Sequence, residues 1–163
     1  MVIFTEQYKI IPPSDEDYKH LEELYNDSIV MRYIPNALKH WESKLLREKV
    51  LKYQKNDIGI HIIKSNENQF IGEASIFHFK DTADTYEIGF ILHKSYWGKG
   101  LGTLICSSLI KYSIEVLNAK TVVARIIKNN LASQKVCIKS GMILLNETIE
   151  DIHLNRLTFS FKK

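Results

Sequence analysis

An apolar run, three glycines at alternate positions and an amphipathic run follow one another in this chain, and that order constrains the fold more than any other feature. Tyr86-Glu87-Ile88-Gly89-Phe90-Ile91-Leu92 reads as a strand, and Leu101, Leu104, Ile105, Leu109, Tyr112 and Val116 recur after it at helical spacing. Between them lies Tyr96-Trp97-Gly98-Lys99-Gly100-Leu101-Gly102-Thr103, so the glycines fall at a helix N-terminus. The first N–H groups of a helix lack intrahelical acceptors, and the helix dipole favours negative charge there. Glycines that admit a close approach therefore make a phosphate cradle. Lys99 adds a cation to the same loop.

A glycine-rich turn alone is a weak signal whose ordinary reading is a tight connection between two elements. The spacing here is G-x-G-x-G, not the dinucleotide fingerprint G-x-G-x-x-G, and no acidic residue follows at the distance a ribose contact needs. The triphosphate loop G-x-x-x-x-G-K-[ST] is absent too. Nicotinamide chemistry and nucleoside triphosphate hydrolysis are therefore disfavoured.

With 163 residues, 45% of them apolar and 25% charged, the chain suits one globular domain over residues 1–163. No window is long and apolar enough to span a bilayer, and Met1-Val2-Ile3-Phe4-Thr5-Glu6 meets an acid before a signal-peptide core forms, so a cytoplasmic protein without a membrane partner is expected. Cys106 and Cys137, with no C-x-x-C spacing, read as buried thiols in a reducing compartment. The net charge of +3 comes from basic residues scattered along the chain, which argues against a nucleic-acid partner and suits a small polyanionic cofactor. None of the six histidines pairs at i, i+4 on a helix or as H-x-H on a strand, so no metal site is expected.

Along the chain, residues 4–11 read as a strand stopped by Pro12-Pro13. Ser14 and Asp17 then open a helix through about Asn26, and a second helix covers about Trp41 to Gln54. The stretch from Tyr25 to Trp41, with Tyr33 and Pro35, has no clean period and reads as a loop or broken helix, either lining something or packing its aromatics on the surface. Strand patterns follow at Ile58–Ile63, Gln69–Phe79 and Thr85–His93, joined by Ser65-Asn66-Glu67-Asn68 and Asp81-Thr82-Ala83-Asp84. After the cradle and its helix come a strand at Thr121–Ile127, a short helix at about Leu131–Ser140, and two closing strands, Met142–Ile149 and Ile152–Phe161. The fold class is α+β: a mixed, mostly antiparallel central sheet of about seven strands with helices on both faces.

This order of elements, with Trp97-Gly98-Lys99-Gly100-Leu101-Gly102 in place of the motif [QR]-x-x-G-x-[GA], resembles the GNAT superfamily of acetyl-coenzyme A dependent N-acetyltransferases over nearly the whole chain. Trp97 stands for the usual Gln or Arg, and Tyr-Trp-Gly-Lys-Gly looks like the ribosomal-protein N-terminal (Rim-type) branch. Asn130-Leu131-Ala132-Ser133 and Lys139-Ser140-Gly141-Met142 are similar to that branch's N-x-x-S and K-x-G-F elements, with Met142 for Phe. The resemblance implies a sheet splayed between its fourth and fifth strands, the one with Glu87 and the one at 121–127. Acetyl-coenzyme A is the implied cofactor, with no metal. The amides of Gly98, Lys99, Gly100, Leu101, Gly102 and Thr103 would hold its pyrophosphate, with Trp97 beside them. Phe90, Ile91 and Leu92 would pair with the pantetheine arm like an added strand, and Asn130 would hydrogen-bond that arm. Tyr33 and Trp41 fall on the implied acceptor side.

Amide formation needs a neutral amine, so a base must take a proton. Glu87 is the candidate, matching a catalytic glutamate of histone-type members in an Ala-Glu-Ile-x-Phe context. Gly89 lies on the same strand face and leaves room beside it. The alternative is that Glu87 pairs with a basic residue across the sheet. Many members place a tyrosine, as proton donor to the departing thiolate, where Cys137 stands. Ser133 is the replacement, unless it only caps its helix or touches pantetheine. The Cys137 thiol reads better as structural. Glu73 and His78 are reserve bases, read as sheet-surface residues. The expected activity is acetyl transfer to a primary amine, a protein N-terminus or a small molecule, by direct attack in a ternary complex, and a homodimer is the default assembly. A catalytically silent acyl-coenzyme A binding module is the alternative.

Overall fold

A computed structural model of the chain describes residues 1–34, 40–80 and 82–163. The strands are β1 (Ile3–Phe4), β2 (Tyr8–Ile11), β3 (Gly59–Ser65), β4 (Phe70–His78), β5 (Thr85–Leu92), β6 (Thr121–Ile127), β7 (Ile143–Leu144) and β8 (Arg156–Lys162). The helices are α1 (Asp17–Asn26), α2 (Ser28–Met31), α3 (Ser43–Tyr53), α4 (Leu101–Glu115), α5 (Leu131–Lys139) and α6 (Ile149–His153). The eight strands of the described residues join one open mixed sheet in the order β1-β2-β3-β4-β5-β6-β8-β7.

Two expected elements divide. The strand read at 4–11 is two strands, because Thr5 Oγ1 accepts from the amides of Gln7 and Tyr8 and turns the chain back, pairing Ile3 with Ile10. The closing strands are shorter than expected. β7 stops at Leu144, and Thr148 opens α6 with a capping box in which its hydroxyl accepts from the Asp151 amide while the Asp151 carboxylate takes the Thr148 N–H. The seventh strand of the sequence reading thus becomes a helix followed by β8, and the division of the first into β1 and β2 makes eight strands among the described residues.

The chain forms two compact units, Met1–Ser75 with Phe90–Trp97, and Ile76–Gly89 with Gly98–Lys163. In the first, α1 buries Tyr18, Leu21, Leu24 and Tyr25 at helical spacing and α3 buries Leu46 and Val50, while β2 and β3 contribute Tyr8, Ile10, Ile62 and Ile63. Asp17 is also buried: it accepts from the backbone and hydroxyl of Ser14 and pairs with Lys64 at 2.6 Å. Burial pushes its carboxyl pKa up, and the hydrogen bonds from Lys64 and Ser14 outweigh that and hold it below the usual value.

In the second unit α4 buries Leu101, Ile105, Cys106, Leu109 and Ile110, and β6 pairs with β8 over seven positions, Thr121↔Lys162 to Ile127↔Arg156. The parallel pairing of β5 with β6 covers only Thr85↔Thr121, Tyr86↔Val122 and Glu87↔Val123. This is the expected splay, between what are the fifth and sixth strands once β1 is counted. No helix among the described residues is long and apolar enough to cross a membrane.

Candidate functional site

The cradle is approached through a 3₁₀ turn at Lys94–Tyr96, capped by His93. His93 N–H donates to Ile71 O, Lys94 pairs with Asp27 at 3.0 Å, and Trp97 Nε1 donates to Leu92 O at 2.8 Å. The last bond ties the residue in the unusual motif position to the end of the preceding strand. Ile91 and Leu92 are buried and Phe90 is half-buried. A Cβ on Gly72 would stand 2.0 Å from Ile91 O, so only glycine fits beside this part of β5.

In the second unit, Gly98 (φ 74°) and Gly100 (φ 78°) are both left-handed, and Gly100 is the N-cap of α4. Thr103 N–H bonds back to Gly100 O, which starts the helix tightly and leaves the amides ahead of it without intrahelical acceptors. A Cβ on Gly98 or on Gly100 would meet nothing within 4 Å. Neither glycine is therefore needed for packing; the backbone angle and the open space above require it. The donor-rich, open helix start fits a pyrophosphate. Lys99 is exposed in the same loop.

Asn130 caps α5: its Oδ1 accepts from Ser133 N–H at 3.2 Å, and its amide nitrogen has no hydrogen-bond partner among the described residues. Ser133 is thus the capped residue, not the cap, and its half-buried hydroxyl has no hydrogen-bond partner among the described residues. Cys137 is buried on the same helix, and burial first, then the Cys106 thiol, pushes its pKa up to about 12. Such a thiol stays protonated and packs as a small apolar group.

Glu87 meets a partner that the sequence reading left unnamed. Arg125 Nε donates to its Oε1 at 2.7 Å and Arg125 Nη2 to its Oε2 at 2.6 Å, a fork-on-fork pair, while the guanidinium lies 5.6 Å from the Phe79 ring centroid. Arg125 is the only charged residue of β6 and lies two residues beyond Val123, the register partner of Glu87. That lone cation in an apolar strand was the available signal. Glu150 stands 4.0 Å from Arg125 and is held mainly by Arg156 and Lys80.

Glu73 is not a sheet-surface residue. It is buried in β4, where Tyr25 Oη donates to its Oε2 at 2.8 Å and Lys49 Nζ donates to Tyr25 Oη at 2.7 Å. Burial raises the Glu73 carboxyl pKa, and Lys49 and Tyr25 pull against that rise without cancelling it. His78 is exposed, and its ring lies against that of Tyr86 with centroids 4.6 Å apart and planes tilted by 33°. Of the expected acceptor-side residues, Trp41 joins the Tyr25 cluster, whereas Tyr33 stacks under Arg32 at 4.8 Å. Pro35 and Asp81 lie outside the described residues. Among those described, no group of three or more His, Cys, Asp and Glu is arranged to hold a metal ion.

The sheet with its splay and the glycine-capped helix define an acetyltransferase fold, and the comparisons agree. Residues 9–143 match the family described as Acetyltransferase (GNAT) domain, a span that includes parts of both units. The chain belongs to that family and is an acetyltransferase. Over 148 residues it is 26% identical to an uncharacterized N-acetyltransferase of Bacillus subtilis, YnaD, covering 87% of this chain and 82% of the relative. The fold is also that of spermidine N-acetyltransferase from Vibrio cholerae, solved with CoA and spermine (TM-score 0.82, 16% identity, 97% and 96% of the two chains). It is equally that of RimL, a ribosomal L7/L12 alpha-N-protein acetyltransferase solved with coenzyme A (TM-score 0.81, 14% identity, 99% and 98%). Likeness to two enzymes with different acceptors shows the fold and does not single out the Rim-type branch.

Proposed function

We propose that this protein transfers an acetyl group from acetyl-coenzyme A to a primary amine, which attacks directly in a ternary complex, and that residues 1–163 act as one catalytic domain. The observation that carries the reading is the start of α4, with two left-handed glycines and open space over both. Residues 98 to 103 hold the pyrophosphate through their amides, with Lys99 and Trp97 beside it. Phe90, Ile91 and Leu92 pair with the pantetheine arm, and Asn130 donates to that arm through its amide nitrogen. When bound, the cofactor supplies a thioester acetyl group.

The remaining chemistry falls to side chains of the chain itself. An alkylamine with a pKa of about 10.4, or an α-amino group at about 8, must lose a proton before it attacks. Glu87 receives it. A carboxylate offers about four lone-pair sites, and Arg125 takes two, so two remain for the ammonium or for a water that relays its proton. Arg125 is then a positioning residue that fixes where those lone pairs point. Ser133 donates its hydroxyl proton to the departing sulfur as solvent returns one to its oxygen, a role for which the protonated and buried Cys137 is a poor substitute. Tyr33 and Trp41 lie on the acceptor side. The acceptor is either a protein N-terminus, as the RimL name suggests, or a small amine such as a polyamine, as the spermidine enzyme suggests. A cytoplasmic location, which the two free cysteines support, and the default homodimer complete the reading.

Two measurements test it. Gly100→Val places a branched side chain in the open space and strains a left-handed backbone by about 1–2 kcal/mol. Calorimetry should therefore show coenzyme A affinity lost while the circular dichroism spectrum stays native, and wild-type affinity would remove the cradle assignment. Release of coenzyme A thiol should appear with at least one member of a panel of N-terminal peptides, polyamines and aminoglycosides. Silence across the panel, with cofactor binding intact, would return the silent acyl-coenzyme A binding module.

A further inference from the structure

Three side chains of the first unit surround an ammonium group. Lys49 Nζ lies 4.3 Å from the Tyr25 ring centroid and 5.1 Å from that of Trp41, and it donates to Tyr25 Oη, which donates in turn to Glu73. The two rings meet edge to face, with centroids 5.4 Å apart and planes at 79°. Two aromatic rings with a carboxylate one hydrogen bond behind them form the arrangement that recognises a cation through its charge and its N–H donors together.

The walls of this cage are also held by contacts that do not involve Lys49. Tyr25 comes from α1 and is 2% exposed, Glu73 comes from the interior of β4, and Trp41 is clamped by Asn26, which donates to Trp41 O at 2.7 Å and accepts from Trp41 N–H at 3.0 Å. Lys49 enters from α3, a helix anchored by Leu46 and Val50. Its ammonium is partly stripped of water, which lowers its pKa against the attraction of Glu73. The site is thus assembled by one set of contacts and filled by a residue held by another.

We infer that Tyr25, Trp41 and Glu73 form a primary-ammonium subsite which Lys49 fills as a tethered competitor, so that Lys49 determines which amine acceptors the protein takes. A tether this short presents its ammonium at an effective concentration of roughly millimolar or above, so free amines below that level are held off. The binding site stands on the geometry alone, whereas its effect on acceptor choice rests on the proposed acetyl transfer. Acceptors that place a second ammonium in the cage are disfavoured by the wild type.

The probe is n-propylammonium chloride, read as a ligand-dependent rise in Tm against equal sodium chloride. Lys49→Ala should bind it at least about 10-fold more tightly than the wild type, and Lys49→Ala/Glu73→Gln should lose that gain. Equal responses of wild type and Lys49→Ala, or a gain that survives in the double variant, would overturn the subsite. A second measurement does not need Lys49→Ala to fold. In the wild type, Lys49 should react with an acetylating reagent several-fold more slowly than the exposed Lys44, and Glu73→Gln should shrink that protection; equal rates would also overturn it. With turnover established, Lys49→Ala should raise kcat/KM for diaminopropane relative to propylamine by about 10-fold. An unchanged ratio beside a clear gain in binding would sink the specificity role. Absence of thiol release from every amine would instead sink acetyl transfer and leave the subsite standing.

Discussion

Glu87 and Glu73 each have a cation for company, yet they meet it in opposite ways. Glu87, with its side chain 22% exposed, takes both donors of Arg125 directly. Glu73 is buried and reaches Lys49 only through the phenol of Tyr25. A fork-on-fork pair fixes a carboxylate in orientation and leaves lone pairs on its outer side. A phenol relay fixes it less tightly, and burial then dominates its proton affinity. Partner geometry, more than the presence of a partner, separates a carboxylate fixed in orientation with lone pairs left over from one whose proton affinity is set by burial.

The largest effect should come from Glu87→Gln. Gln keeps the shape but cannot accept a proton, so kcat should fall by about 10²-fold while cofactor affinity persists, with a smaller loss if the acceptor is an α-amino group already near neutrality. Wild-type kcat at every pH would break the comparison by making Glu87 purely structural. Lys49→Met should come next, costing about 1–3 kcal/mol at pH 7 because Glu73 loses its charge partner. The sign follows from the raised carboxyl pKa. Such a group contributes stability that is complete below its unfolded value, near 4.5, and fades as pH rises through the folded value. The deficit of Lys49→Met in thermal melts should therefore close as pH falls toward about 4, and a deficit constant with pH would contradict the buried-charge account. Tyr25→Phe should be mildest. Removing the relay hydroxyl should cost about 0.5–1.5 kcal/mol and, if the two carboxylates act independently, leave the Glu87-dependent rate loss unaltered.

The parts of the molecule governed by neighbours in sequence were readable before the structure. The glycine loop, α4 and the strand before it follow from local angles and helical period, and Gly98 and Gly100 are left-handed as a close-approach loop demands. Asn130 announces the start of α5 in the same local way. The partners of the two glutamates were not legible. Arg125 meets Glu87 only through the parallel register of β5 with β6, and Lys49 meets Glu73 only after α1, α3 and β4 have each found their places. Alternation along β4 gave no sign that Glu73 would be buried, since it says which residues share a face and not whether that face is covered. The mistaken closing strand was avoidable: Thr148 and Asp151 carry the spacing of a capping box, and the apolar residues around them masked it.

The strand order β6-β8-β7 also sets a schedule for synthesis. Every element of the first unit exists once residue 97 has been made, whereas β6 waits for residue 162 before its seven-position pairing with β8 is complete. Until then Val122, Val123 and Ala124, all buried in the finished protein, belong to a strand lacking its antiparallel neighbour, and β7 has nothing to pair with. The nascent chain therefore passes through an interval in which one unit is fully provisioned while the other carries an apolar strand with an open edge. That strand is the one a chaperone, or another copy of the chain, would meet first.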